Sequence, residues 1–505
     1  MLLSSSILAV TPREVCGQFN GDLIIDGQIY PSKSVYLLLG VVDNTLTFVL
    51  PDFMYGAGKL GNIVLPNIPM SQSGQLTLEN ATLYLDSISE RATITIINGL
   101  EDEGVVYNST VSATDAEVIL SIEAPSLPEA IYVLFKGKAA RSNNYLIPNG
   151  EFEGNWTNNE VAGWHSFTSA CGLMADFIRI DNTQFSQSAD IRPGSKGKNS
   201  ALLSSDMVFG VKANGNCTNG RINAGSMTAD DAAGNYNFSD PDSVGYNTPF
   251  NGRPDSIVFW AKYQPADRDA ANEENRARMN TVITTNARYQ DPEVEDCSAI
   301  KIATASINYA ATSSLDWQRI AVPFEYTNDS KSKAPAYILT TFSTSYRPGG
   351  GTSYTSGKIT KTNVLDSIYL DDVQLVYNHR LKSVSVDDHQ LTFSNRVTHI
   401  SGNYCDDCAH FVAQADGYAA QTFLAFDGEH KCLHIYVIGD NYAQTGEYNI
   451  YRVEFDDTDF DTAVPEVLID RNKNTKGWQK TVINGTLYIL TPSGVAYTVQ
   501  GARVN

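Results

Sequence analysis

The chain of 505 residues has no run of eighteen apolar residues, so nothing in it reads as a helix able to cross a bilayer. Positive charge is scarce. There are 36 Lys and Arg against 57 Asp and Glu, giving a net charge of −21 and a pI of about 4.7. Affinity for nucleic acid and for anionic membrane surfaces comes from clustered basic side chains, so neither is an expected partner. Cysteine is sparse and odd in number, at seven, too few for a disulfide scaffold. Cys171 and Cys217 lie in loop-like stretches of one domain and could bridge in an exported protein. The chain lacks a glycine-rich loop between strand and helix, an H-E-x-x-H pair and a G-x-S-x-G elbow, so no organic cofactor is expected. Helical patterning is nearly missing. Only Ala266 to Met279, charged and rich in alanine, reads as a short surface helix.

What the chain has is alternation. DSIYLDDVQLVY, from Asp366 to Tyr377, places Tyr369, Asp371, Val373 and Leu375 on one face and Ile368, Leu370 and Asp372 on the other, the pattern of a half-buried strand. Asp371 stands in line with hydrophobes. A carboxylate on a core face is costly without a partner or a cation. With 26 Tyr, 37 Gly and many short alternating runs between Gly, Asn, Pro and Ser, the expected fold class is all-β, in three or four domains.

Eight short strands follow one another from Gly17 to about Ala139, a spacing that predicts a barrel or sandwich. FNGDLIIDG, TLTFVLPDF and GNIVLPNIP resemble the calycin-like, lipocalin-type domain of exported Bacteroidetes proteins. That resemblance implies an N-terminal β-barrel over 17–139, able to hold an apolar ligand or packed solid as a spacer. MLLSSSILAVTPREVC, over 1–16, reads as the remnant of an export signal.

Residues 146–380 form the largest segment. It opens with IPNGEFEGNW and continues through GKNSALLSS, FNGRPDSIVFWAKYQP, DWQRIAVPFEY and ILTTFSTS to the closing DSIYLDDVQLVY. That order resembles the provisionally named carbohydrate metabolism domain of gut and oral Bacteroidetes, a jelly-roll β-sandwich akin to carbohydrate-binding modules. The resemblance implies that the opening and closing strands pair and that Glu151 or Glu153 with Asp371 or Asp372 holds a structural Ca2+. It also implies a poly- or oligosaccharide partner. Pyranose rings stack on aromatic faces while polar side chains fix their hydroxyls. The candidates for carbohydrate binding are Trp164, Trp260, Tyr263, Tyr289, Tyr346 and Tyr354, with Arg253, Lys262 and Arg347 as polar partners. Arg253, in FNGRP, has an alternative part as a corner residue bonding backbone carbonyls. A glycoside hydrolase would need two carboxylates about 5–10 Å apart, and no spacing singles out a pair.

Residues 381–456 again alternate, and NIYRVEF resembles the last strand of small immunoglobulin-like domains from the same bacteria, a C-terminal β-sandwich. His399, Cys405, Cys408, His410, His430, Cys432 and His434 crowd this region in a zinc-like pattern, with a local disulfide or free thiols as the alternatives. An acidic linker and a hairpin around Asn484 and Gly485 occupy 457–505 and resemble secretion-type tails that direct export and surface attachment. The whole reads as an exported protein of the cell surface, periplasm or medium that binds glycans in polysaccharide utilisation. Glycoside hydrolysis and adhesion are the alternatives.

Overall fold

The computed structural model describes residues 10–56, 58–85, 90–102, 105–127, 129–140, 144–179, 184–208, 211–228, 231–266, 275–346, 365–401, 411–427, 431–456, 479–483, 486–490 and 496–498. The chain is all-β, 57% strand and 4% helix, with a nearly closed barrel-like sheet and several further sheets.

Eight strands form the path of the nine-stranded first sheet, β1 (Gly17–Ile25), β2 (Gln28–Leu39), β3 (Thr45–Tyr55), β4 (Gly58–Pro69), β5 (Leu78–Leu85), β6 (Glu90–Ile96), β7 (Asp115–Glu123) and β8 (Ile131–Ala139), with Thr110–Val111 pairing on β7 off that path. Their order is β4-β3-β2-β1-β8-β7-β6-β5. The ends of this ribbon meet where Met70 bridges Leu76 and Thr77 N–H donates to the Pro69 carbonyl. Alternation sends Phe19, Leu37, Phe48, Ile94, Leu120 and Phe135 inward, where they share one buried cluster. These side chains pack together inside the sheet.

The second region is a sandwich of two five-stranded sheets. Its strands are β9 (Phe185–Ser188), β10 (Ser200–Ser204), β11 (Asn216–Thr218), β12 (Ser256–Gln264), β13 (Ala277–Thr284), β14 (Lys301–Tyr309), β15 (Gln318–Pro323), β16 (Glu325–Tyr326), β17 (Tyr337–Ser343) and β18 (Ser367–Val376). One sheet runs β9-β10-β18-β12-β15 and the other β11-β17-β13-β14-β16. Phe185, Leu203, Phe259 and Leu370 of the first sheet pack with Met279, Ile302, Ile338 and Phe342 of the second in one core. The end of the expected surface helix, Ala277 to Met279, is strand β13, paired in register with β14 and β17. Tertiary pairing overrides its helix-forming composition there. Residues 267–274 of that patch lie outside the described residues.

Two expectations about the bookends need correction. The opening NGEFE stretch is a turn, although Val373 N–H does reach the Gly150 carbonyl at 2.9 Å. In the closing strand β18, alternation is broken. Val258 pairs with Gln374 and Trp260 with Asp371, so Asp372 and Val373 together oppose Phe259 in a β-bulge with Asp372 at φ 48°. The core face therefore carries Ile368 and Leu370 before the bulge and Val373 and Tyr377 after it. Tyr369 faces outward.

In the third region, β19 (Arg380–Val386) pairs with β20 (Phe411–Asp416). Strand β22 (Cys432–Ile438) lies between β21 (Gln421–Asp427) and β23 (Tyr448–Asp456). One face of the β21-β22-β23 sheet meets the barrel. Phe423, Ala425, Tyr436 and Ile438 pack against Tyr36, Leu38, Val49 and Val64 on the outside of the barrel. Barrel and third region share a core and belong to one compact unit with the sandwich. The other unit takes in the C-terminal strands Gln479–Ile483, Thr486–Leu490 and Ala496–Thr498, which form a three-stranded antiparallel sheet.

Candidate functional site

The outer face of the first sandwich sheet carries the densest group of aromatic and charged side chains from the candidate set. Trp260 and Lys262 alternate outward along β12, and Tyr369 stands directly across from Lys262 on β18. Trp317, just before β15, comes within 6.3 Å of Tyr369, ring to ring. The segment between β9 and β10 supplies Asp190 and Arg192. Asp190 accepts from Lys262 Nζ and, at 3.1 Å, from Trp317 Nε1. The Lys262 ammonium lies 4.7 Å from the Tyr369 ring centre, and the Arg192 guanidinium 5.2 Å from that of Trp260. Burial alone would raise the Asp190 carboxyl, but the bonds from Lys262 and Trp317 outweigh it and hold the acid below its ordinary value. Trp260, Lys262, Trp317 and Tyr369 are all half-buried, each leaving part of its surface to solvent.

Other expected sugar ligands lie elsewhere. Trp164 is fully buried against Phe152 and Phe342, its indole N–H donating to the Asn149 carbonyl. Tyr263 is a core residue of β12 whose hydroxyl bonds the Thr344 carbonyl. Tyr289 is buried too, its hydroxyl on Glu293. None of the three offers a ring face to a ligand. Tyr289 stands in the loop-like RYQDP, yet it, like the other two, is claimed by the core. Tyr346 is half-buried, and Tyr354 and Arg347 lie outside the described residues. Arg253 takes the corner part. Its guanidinium donates to the Lys333 carbonyl at 2.7 Å and its backbone N–H to Asp440 at 2.6 Å.

The acids offered for calcium, Glu151 or Glu153 with Asp371 or Asp372, have distinct surroundings. Glu151 is exposed. Glu153 accepts the backbone N–H groups of Lys198 and Asn199 at 2.6 and 2.7 Å, and the Asn199 side-chain amide at 3.0 Å. Asp372 takes the Arg192 guanidinium. Asp371 accepts the Arg192 backbone N–H at 3.2 Å, while its second oxygen is buried without a hydrogen bond. Burial is the main force on Asp371 and pushes its carboxyl up to about 6, with the neighbouring Asp372 charge adding to the rise. Arg192 thus meets the two aspartates differently, Asp372 through its guanidinium and Asp371 through its backbone N–H.

Cys171 and Cys217 are free thiols, so the suggested bridge is absent. Cys217 is sealed in strand β11 of the core, while Cys171 lies beside the Ile222 carbonyl. Cys405, Cys408, His410 and His430 lie outside the described residues. Among the described residues, Asp427, Cys432 and His434 are the group of three whose ligand atoms converge, all within 4.8 Å. The sequence pointed to Cys432 and His434 but not to Asp427, which joins them only through the β21–β22 register. Asp190, Arg192, Trp317 and Tyr369 were also missed at the sandwich face. Tyr369 was recoverable from alternation had the bulge been placed.

No family model matches this chain, and no curated protein does. Among solved structures it is similar to a carbohydrate-binding module specific for non-crystalline cellulose, at 11% identity and a TM-score of 0.20, over 42% of this chain and 88% of that one. It is also similar to a proposed outer membrane protein of Bacteroides fragilis NCTC 9343, at 11% identity and a TM-score of 0.17, over 67% of this chain and 98% of that one. At such scores the fold rests on the strand pairing described above.

Proposed function

We propose that the protein binds a poly- or oligosaccharide across the outer face of the β9-β10-β18-β12-β15 sheet. The observation that carries this is the convergence of Trp260, Trp317 and Tyr369 with Lys262, Asp190 and Arg192 on one half-exposed sheet face. Ring faces stack on the apolar faces of pyranoses, and the charged groups bond their hydroxyls. Of the three carboxylates at this face, Asp190 and Asp372 are each ion-paired with a cation, and Asp371 is buried beneath the Arg192 backbone, out of reach of a sugar. That arrangement suits binding better than the acid and base of a glycoside hydrolase, which keep one carboxyl free to give a proton and another free to act on the sugar or a water. Export to the cell surface, periplasm or medium belongs to the same reading and is supported by the secretion-like character of the C-terminal tail.

The test is a glycan-array screen of the full chain, followed by calorimetric titration of the sugars retained and a reducing-end assay on the same samples. Binding without sugar release, weakened at least about fivefold in Trp260→Ala and Trp317→Ala, supports the reading. A single buried-face stacking contact of 1–3 kcal/mol corresponds to that loss. Undiminished binding by the Trp260→Ala, Trp317→Ala double variant would overturn this face as the site.

A further inference from the structure

We propose that Asp427, Cys432 and His434 form a binding site for one zinc-class divalent metal ion, set where the third region meets the barrel. The three lie on the same face of the β21–β22 hairpin, Asp427 directly paired with Cys432 and His434 two residues further along. All are buried, with relative exposures of 5%, 2% and 2%. Cys432 Sγ is 3.3 Å from His434 Nε2, and Asp427 Oδ2 is 3.6 Å from the same nitrogen. A tetrahedral zinc ion with bonds of about 2.3 Å to sulfur and 2.0–2.1 Å to nitrogen and oxygen spaces its ligand atoms about 3.3–3.6 Å apart. Both measured edges lie within about 0.3 Å of the lengths such an ion sets.

Two other uses of the trio fit less well. A thiol–imidazole–carboxylate catalytic relay places thiol and carboxylate on opposite ring nitrogens. Here both address Nε2, and Nδ1 is buried without a partner. The thiol is also pushed up to about 12, mainly by burial, which is the wrong direction for a nucleophile. A purely structural hydrogen-bond cluster fails on proton count. A protonated Nε2 serves the carboxylate and leaves the thiol unanswered. An unprotonated one accepts the thiol proton and faces the carboxylate lone pairs. A dication at the shared point answers all three, and its charge is balanced by one thiolate and one carboxylate.

The surroundings are prepared for a fixed ligand set. Asn67 of the barrel donates its side-chain amide to Asp427 Oδ2 at 2.7 Å, and its own carbonyl is held by the N–H groups of Val41 and Val42. Such an outer partner orients a ligating carboxylate. Across the sheet, Arg452 and Glu454 pair in register with His434 and Cys432 and are ion-paired with each other, which contains the nearby positive charge. Coordination expels the Cys432 thiol proton to solvent, so affinity falls with falling pH. With three protein ligands in a buried setting, the ion would staple the hairpin and, through Asn67, tie it to the barrel.

The experiment uses the full chain, freed of metal by chelator and titrated with cobalt(II) and then zinc. Expected are one cobalt per chain, a thiolate-to-cobalt charge-transfer absorption that zinc abolishes, and a raised thermal midpoint. The absorption should vanish in Cys432→Ser and persist in a Cys405→Ser, Cys408→Ser double variant. The second variant keeps Asp427, Cys432 and His434 and so decides the matter even if Cys432→Ser fails to fold. Absence of a thiolate band in the wild type, or its loss in the Cys405/Cys408 variant, would overturn the assignment.

Discussion

The hydroxyls of Thr47 on the barrel and Tyr436 in the third region meet at 2.9 Å in a fully buried setting, 389 residues apart in the chain. Around them, Tyr442 donates to the Leu37 carbonyl and Tyr448 receives the Leu39 N–H. The contact makes the outer face of β2, β3 and β4 part of a core. Tyr436→Phe removes one partner and leaves Thr47 Oγ1 unanswered, which should cost about 1–3 kcal/mol in urea denaturation. Adding Thr47→Val removes the orphaned hydroxyl as well, so the double variant should recover part of that loss. If the two losses instead add, the hydroxyls are not partners.

Asp371 makes a pH prediction whose sign is opposite to that of most acids. Its carboxyl is raised to about 6 from an ordinary 3.8, so between those values the folded state binds more protons than the unfolded chain. Stability contributed by this group is therefore greatest near pH 4, falls as pH rises to about 6, and is flat above. Asp371→Asn keeps an acceptor for the Arg192 N–H and carries no charge. It should raise stability by about 1–3 kcal/mol at pH 7 and by little at pH 4, read from denaturation curves at both values. A variant equally altered at the two pH values would mean the carboxyl titrates normally.

Arg192 links the same aspartates to the question of calcium. Its guanidinium binds Asp372 and its backbone N–H binds Asp371, so one of the two carboxylate charges is met from within the chain. EGTA should leave the thermal midpoint of the wild type unchanged, whereas Arg192→Gln should lower it. A midpoint that falls with EGTA and returns with added calcium would restore the ion to these acids.

The strands were legible because alternation and turn residues are local signals. SIVFWAKYQ and TLTFVLPDF run as β12 and within β3, the first with Phe259 inward and Trp260 outward. What the sequence could not show was parity across a bulge. DSIYLDDVQLVY reads as unbroken alternation, and the extra residue at Asp372 exchanges the faces of everything before it. Nor could it show partners chosen by the fold. Trp317 and Asp190 bond 127 residues apart, and Trp164 was indistinguishable from a platform until Phe342 was found against it. Nor could the sequence show that one apolar face of β21 and β22 meets the barrel, because such a face looks the same whatever covers it.

Asp255 sets a final prediction, at the seam between sandwich and third region. One of its oxygens accepts the Asn378 N–H at 2.6 Å and the other the Tyr418 N–H at 2.7 Å. Tyr418 in turn stacks on Tyr326 of the sandwich, ring centres 3.5 Å apart and planes within 4°. Arg253, two residues before, secures Asp440 on the far side of the same seam. Asp255→Ala leaves two backbone donors without acceptors and should destabilise the chain by about 2–4 kcal/mol, each orphaned group costing about 1–3. Because the loss falls at the seam and not in either core, limited proteolysis should open the stretch from Asn378 to Tyr418 before it opens the sandwich. Tyr418→Ala should reproduce the proteolytic pattern with a smaller loss of stability, since the Tyr418 backbone N–H still reaches Asp255. Cleavage first within the sandwich strands would show that Asp255 supports the sandwich core and not the seam.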